Sequence, residues 1–487
     1  MNPLKKLFKQ TFIYGLATVL PRMLSFLLTP LYVTVLPTDG YGEVSIIFAW
    51  FAIFNVLLAY GMETAFFRFY NDTSLNKKTV VTTSLISIGV SSCIFMLLAF
   101  MFKGAISSIS DIDPQFITYA ILILVLDALV IIPFSWLRAN EKPMRYALVK
   151  IANVVINLSL NCFFLLILPI MAESNPDSFL SGLYKPTFEI SYIFISMLIA
   201  SGITLLLMLR LYLRRPYIFD RFIWTNMMKY AAPVLIAGIA FTINEVFDRI
   251  MLDWLLPNDI AESEIGKYSA CYKLTLFMTL FATAFRMGIE PFFFSHSKSD
   301  NPQRAYAQIT NYFVILGSVI LLSVVVYADV LKLFIVPNSD YWEAMSVVPI
   351  IILASFCLGI YHNLSVWYKV TDRTKFGAYI SLIGAVLTII INYAFIPYFG
   401  YVASAVATLV AYGSMVILSF FFGRMYYPIP YNHRKIIFYL VVSISFSMLS
   451  FYAFNRNLII GSILFIIFLG MVYRLESDKL KQIFLRK

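Results

Sequence analysis

The chain has 487 residues, 60% of them hydrophobic and 13% charged, with a net charge of +11. A soluble domain carries roughly 25% charged residues, and a mean hydropathy of +0.82 excludes an ordinary soluble enzyme or binding module. Apolar runs of about 20 residues, long enough to cross a bilayer as helices, recur from one end to the other. They lack the short alternating pattern of a membrane barrel.

In chain order these runs predict fourteen transmembrane helices. Their limits lie near 11–36, 44–67, 79–102, 115–137, 146–169, 190–213, 230–256, 267–294, 306–328, 343–367, 376–396, 400–423, 435–454 and 457–474. Hydrocarbon offers the backbone no hydrogen bonds, so the expected fold class is an all-α polytopic membrane protein. The first run follows Lys5, Lys6 and Lys9 as a signal peptide would. It is too long for one, contains Pro21 and Arg22, and lacks a clear small-x-small cleavage site, so it is expected to be retained. The longest loop, from Pro169 to Glu189, is too short for a folded domain. Pro21, Pro30, Pro133, Pro233 and Pro349 fall in or near spans, where a missing amide bends a helix.

Chemistry-bearing residues are sparse. Cys93, Cys162, Cys271 and Cys357 all lie inside spans, and His296, His362 and His433 are far apart. Neither set has metal-ligand spacing, and no nucleotide-binding loop is present, so no metal or cofactor is expected. Of the 37 Lys and Arg residues, four lie inside spans, 28 on the side bearing the N-terminus and five on the other. Cytoplasmic loops collect such charge, so both termini are expected in the cytoplasm. The net charge therefore reports topology, and nucleic acid is not an expected partner.

The sequence repeats itself. LPTDGYGEVS (36–45) between spans one and two is echoed by LPNDIAESEIGKYS (256–269) between spans seven and eight. GMETAFF (61–67) matches GIEPFFF (288–294), WLRANEK from Trp136 matches WYKVTDR from Trp367, and Asn161 matches Asn392. The order is kept, and the offset drifts only from 220 to 231. Two six-helix units are expected. Six is even, so they point the same way and relate by an axis along the membrane normal. The expected organisation is an N-lobe over 1–219, a C-lobe over 220–428, and an extra hairpin with a cytoplasmic tail over 429–487.

A charge inside a bilayer costs roughly 2.5–3.5 kcal/mol on insertion scales, so intramembrane ionisable groups are expected to face a watery interior. Arg22, Asp127, Glu245, Asp248, Arg249, Lys273 and Arg286 all fall in spans, with Glu63 and Glu290 nearer span ends. The cations suit an anionic substrate. Glu63 and Glu290 recur in both copies of the repeat, which favours gating or structural roles. The other charges do not recur, which favours a task performed between unlike lobes. At similar depths on neighbouring spans, Asp248 could instead pair with Lys273, or with Arg249 beside it, and Arg286 could pair with Glu290 one turn along its own helix.

The stretch KKLFKQTFIYGLATVLPRMLSFLLTPLYVTVLPTDGYGEVS (5–45), together with GKYSACYKL (266–274), resembles the polysaccharide branch of the multidrug/oligosaccharidyl-lipid/polysaccharide (MOP) exporter superfamily, the O-antigen-type flippases. That resemblance implies export of a lipid-linked anionic oligosaccharide, carried on undecaprenyl (pyro)phosphate, across a bacterial inner membrane by alternating access. Other polysaccharide assembly proteins would be partners alongside membrane lipids. Arg22, Arg249, Lys273 and Arg286 would bind the substrate. NEVFDR (244–249) further resembles the place where the lipid II branch keeps an acidic cation ligand. This implies a coupling site for a proton or sodium ion at Asp248, with Glu245, Asn392 and Thr408 as further oxygen donors.

Two other classes compete. A drug/cation antiporter of the same superfamily would use Asp248 or Glu245 as its carboxylate, against which the buried arginines argue. A membrane polymerase or glycosyltransferase would present its acids on a sizeable outer loop. Asp111 with Asp113, and Asp259 with Glu262 and Glu264, read instead as solvated turns. The expectation is a transporter, not an enzyme.

Overall fold

The computed structural model describes residues 19–21, 23–213, 217–295 and 301–485. Among these residues every regular element is helical and no strand occurs. Twelve segments, from Thr38–Tyr70 to Leu458–Ser477, are long and apolar enough to cross a membrane, and each falls on one of the expected runs. Of the two remaining runs, the first is described from residue 19 on, apart from residue 22, and contains the helix Leu28–Val35. The eighth forms a helix Asn258–Tyr272, a tight turn Lys273–Thr275 and a helix Leu276–Ser295. Pro233 sits inside the continuous 35-residue helix Arg221–Leu255. Pro133 and Pro349 stand in the first turns of Ile131–Ala139 and Val348–Leu364, where proline removes no helical hydrogen bond.

The chain divides into two compact units, Met1–Trp254 with Asn258–Gly266, and Leu255–Pro257 with Lys267–Lys487. The seventh expected span thus packs with the first unit as far as Trp254. In that unit Met62, Phe66, Val81, Ile132 and Met227 form one buried cluster, and Ile47, Phe51, Ile123 and Phe194 another. In the second unit Phe281 and Phe313 stack at 5.0 Å, and Phe356 packs on Phe313. Tyr361, Ile380, Tyr412 and Met415 make a further buried cluster there. The final hairpin is held by a Lys435–Glu476 ion pair, with Tyr439 Oη donating to Glu476 Oε1 at 2.9 Å.

Lipid tails are as apolar as leucine, so membrane helices associate through close packing at small residues. The starts of the helices that follow the two Leu-Pro turns show this within the first unit. Pro37 and Pro257 stand just before the helices Thr38–Ala59 and Asn258–Tyr272. Their first turns then touch. A Cβ on Gly42 would lie 1.8 Å from the carbonyl oxygen of Glu262, and one on Gly266 would lie 1.9 Å from that of Thr38. The contact is reciprocal, each glycine meeting the backbone four residues before its counterpart in the other copy. Thr38 Oγ1 and Ser263 Oγ lie 2.8 Å apart across it. Glu262, expected in a solvated turn, is half-buried here. Burial raises its pKa above the ordinary carboxylate range, and nearby Asp39 and Asp111 push it further up.

Overpacking a fitted contact costs about 1–3 kcal/mol. In a Thr38→Cys/Ser263→Cys protein, mild oxidation is expected to yield a linked peptide pair by mass spectrometry. Adding Gly266→Val is expected to suppress that link severalfold. A link that forms equally well in the Gly266→Val background contradicts the packing described.

Candidate functional site

Arg22 lies outside the described residues. The other candidates divide between the two units. In the first, Asp248 is buried on the Arg221–Leu255 helix, and Glu245, one turn earlier, is exposed. Neighbouring residues on a helix do not face one another, yet the Arg249 side chain folds back on its own helix. Asp248 Oδ1 accepts from Arg249 Nη1 at 2.8 Å and from the Arg249 amide at 2.9 Å. Arg249 Nη1 also donates to the Glu245 carbonyl at 3.2 Å. The carboxylate and guanidinium are only 4% and 12% exposed, so this pair is shielded from water and from screening. A cation approaching Asp248 in this arrangement meets the guanidinium as well. Asp127 is held by a hydroxyl, accepting from Ser201 Oγ at 2.7 Å.

In the second unit, Lys273 is exposed at the turn ahead of the Leu276–Ser295 helix. Arg286 and Glu290 lie one turn apart on that helix, which suggested a pair between them. Glu290 pairs instead with Lys369, at 2.6 Å. The Arg286 guanidinium meets His362 Nε2 at 3.4 Å and has no carboxylate within ion-pair distance among the described residues. Arg286, Glu290, His362 and Lys369 line a cleft of about 10 Å³, room for roughly one water. Asn392 and Thr408 lie on the adjacent helices Lys375–Phe399 and Tyr401–Tyr426 and are bridged by Ser404. Asn392 Oδ1 accepts from Ser404 Oγ at 2.9 Å, and Thr408 Oγ1 donates to the Ser404 carbonyl at 2.9 Å.

The repeated motifs do equivalent work in each unit. Glu63 of GMETAFF pairs with Arg138 of WLRANEK, and Glu290 of GIEPFFF pairs with Lys369 of WYKVTDR. Asn161 and Asn392 are both fully buried. Each donates its amide to the carbonyl four residues earlier and accepts a hydroxyl, Tyr32 in one case and Ser404 in the other. Sequence reasoning matched the motifs and missed the pairs, because Arg138 and Lys369 read as loop cations. The signal was available: the acid and the base recur together at nearly the same offset.

The profile described as "Polysaccharide biosynthesis protein" matches residues 7–295, and a second one, MatE, matches residues 233–394. No curated protein matches the chain. The fold is similar to that of the lipid II flippase MurJ in an inward closed conformation, with TM-score 0.72 and 15% identity, covering 95% of this chain and 99% of that one. It is similar also to a multidrug resistance MATE transporter of the MOP superfamily in an inward-facing conformation, with TM-score 0.65 and 13% identity, covering 85% of this chain and 94% of that one. A MOP superfamily transporter from Pyrococcus furiosus, described as having a binding pocket of reverse polarity, matches with TM-score 0.56 and 13% identity over 87% of this chain and 96% of that one. At these identities the likeness is one of fold.

Half-exposed ion pairs contribute about 0–1 kcal/mol, and like charges in the same place cost a similar amount. Glu290→Lys, which sets two ammonium groups together, is expected to destabilise the protein in detergent by about 1 kcal/mol. The exchange Glu290→Lys/Lys369→Glu is expected to recover at least half of the shift in thermal midpoint. A double variant as unstable as the sum of its singles denies the pair.

Proposed function

Because this chain belongs to the polysaccharide biosynthesis protein family of the MOP exporter superfamily, we propose that it moves a lipid-linked oligosaccharide across the bacterial inner membrane for cell-surface polysaccharide assembly. It is a multi-pass membrane transporter, not an enzyme. In our reading the carrier lipid is undecaprenyl pyrophosphate, both termini are cytoplasmic, and fourteen spans form two parallel six-helix repeats that rock between inward and outward access. The matched ion pairs and the matched asparagines support the repeat.

One observation carries the anionic substrate: Arg286 is a guanidinium in an expected span with no carboxylate partner among the described residues. A cation within a membrane span must be compensated, and a pyrophosphate that enters and leaves supplies that compensation in passing. Arg22, Lys273 and Arg249 complete the proposed clamp. Arg249 also links substrate to energy. When a pyrophosphate takes the guanidinium, Asp248 loses that contact and becomes a site for a proton or sodium ion. Binding substrate and binding the coupling cation then favour one another.

The MatE match over residues 233–394 favours a second reading, a drug/cation antiporter. An arginine with no acid partner among the described residues argues against an organic cation as cargo, because like charges in a low-dielectric cavity repel.

Deletion of the gene, analysed for lipid-linked sugars and for drug sensitivity, separates the two readings. The flippase reading expects lipid-linked oligosaccharide to accumulate on the cytoplasmic leaflet with drug sensitivity unchanged. It also expects Arg286→Ala to cut export by about tenfold or more, the loss of a contact of about 1.4 kcal/mol, at normal protein levels. An unaltered glycan profile with raised drug sensitivity supports the antiporter instead.

A further inference from the structure

The first unit contains a second cationic site, away from the candidates above. Its cavity of about 490 Å³ opens where four helical segments end, and Lys78, Lys142, Arg145 and Arg210 line it. The size falls within the range of small-ligand sites, about 300–1,000 Å³. These four cations come from three separate places in the sequence. Lys78 begins the helix Lys77–Met101, and Lys142 and Arg145 flank the start of Pro143–Cys162. Arg210 lies in the last turn of Glu189–Leu213.

Among the described residues no carboxylate lines the cavity. None of the four cations makes an ion pair among the described residues. Nearby cations elsewhere are answered: Arg138 has Glu63, and Lys150 stacks on Phe134 at 4.3 Å. Four like charges around one hollow, with no acid paired to them among the described residues, repel each other unless an anion sits between them. The two helix N-termini add to the same positive field.

The walls say which kind of anion. Trp136 stands half-buried in the lining with Lys142 Nζ 4.6 Å above its ring, and Leu207 lines the cavity 47% exposed. Leu206 and Leu213 on the same helix are 67% and 73% exposed, so the cationic mouth adjoins an apolar face. Tryptophan and basic residues at such a border mark the headgroup level of a membrane. A free inorganic anion has no use for the apolar wall, whereas a lipid uses both surfaces.

We infer that this cavity is a binding site for the phosphate-ester headgroup of a membrane lipid. The lipid lays its phosphate between Arg145, Arg210, Lys142 and Lys78 and its acyl or prenyl chain along the Leu206–Leu213 face. Two sources carry this chemistry: an anionic phospholipid of the bilayer, or the polyprenyl pyrophosphate of the proposed cargo. Only the second source rests on the export reading.

The test uses the full-length protein in phosphatidylcholine nanodiscs, with bound lipid counted by native mass spectrometry. Phosphatidylglycerol, undecaprenyl pyrophosphate and inorganic phosphate are titrated separately. Wild type is expected to retain one lipid with a net negative phosphate headgroup per chain, in preference to zwitterionic phosphatidylcholine. Arg145→Gln/Arg210→Gln is expected to weaken that retention by about tenfold or more. Arg221→Gln/Lys229→Gln, an equal loss of exposed charge outside the cavity, is expected to leave it unchanged. Matching circular dichroism melts for the two double variants establish that both fold. Preference for phosphatidylglycerol assigns the site to a bilayer lipid, and preference for the pyrophosphate assigns it to cargo docking. Retention undiminished in Arg145→Gln/Arg210→Gln, or an equal loss in Arg221→Gln/Lys229→Gln, overturns the site, as does binding of inorganic phosphate alone. Such a failure leaves the export reading standing if Arg286→Ala still blocks export.

Discussion

Hydrocarbon gives a charge nothing to bind, so each ionisable group placed in a membrane must find its partner within the protein or in what the protein carries. The described residues largely obey this rule. Asp248 has Arg249, Asp127 has a serine hydroxyl, Glu63 has Arg138, and Glu290 has Lys369. Several interfacial cations that lack an acid rest on aromatic rings, as Arg68 does over Tyr230 at 4.4 Å. Against so regular a background, the exceptions carry information. Among the described residues no acid pairs with Arg286 or with the four cations of the cavity in the first unit, and an anion brought from outside is the economical partner for each.

The same medium explains why the chain states one turn twice. With no hydrophobic drive between helices, contact energy comes from fit. A glycine that lets one backbone onto another is worth keeping in both copies. Gly42 meets the carbonyl of Glu262, and Gly266 meets that of Thr38, as residues do across a twofold interface where each side presents the same surface. Gly61 belongs to the same economy. Its φ of +72° breaks the Thr38–Tyr70 span, and a Cβ there would lie 2.5 Å from the Ala231 carbonyl oxygen. Only glycine combines that backbone angle with that approach.

Much of the fold was legible because lipid imposes long apolar runs, and hydropathy reads such runs directly. Twelve described segments fall where those runs predict helices. The site was less legible. A pair between adjacent residues, such as Asp248 with Arg249, runs against helix geometry and depends on a side chain folding back. Glu290 was expected beside Arg286 because the two are one turn apart, but the cross-helix Lys369 wins. Lys78, Lys142, Arg145 and Arg210 each counted as topology signals, and only the folded chain brings them around one cavity. The repeat, by contrast, could have foretold the Glu63–Arg138 and Glu290–Lys369 pairs. An acid and a base conserved between two halves of one chain at matching offsets are candidates for mutual contact.

The central proposal is that Arg286, with no acid partner among the described residues, selects an anionic lipid-linked cargo. It is tested most directly with the purified protein in proteoliposomes holding a fluorescent pyrophosphate-linked oligosaccharide, its leaflet read by a membrane-impermeant quencher. The account predicts protein-dependent movement of that lipid and none of a fluorescent organic cation. Movement of the organic cation, with the pyrophosphate lipid left in its original leaflet, would contradict it.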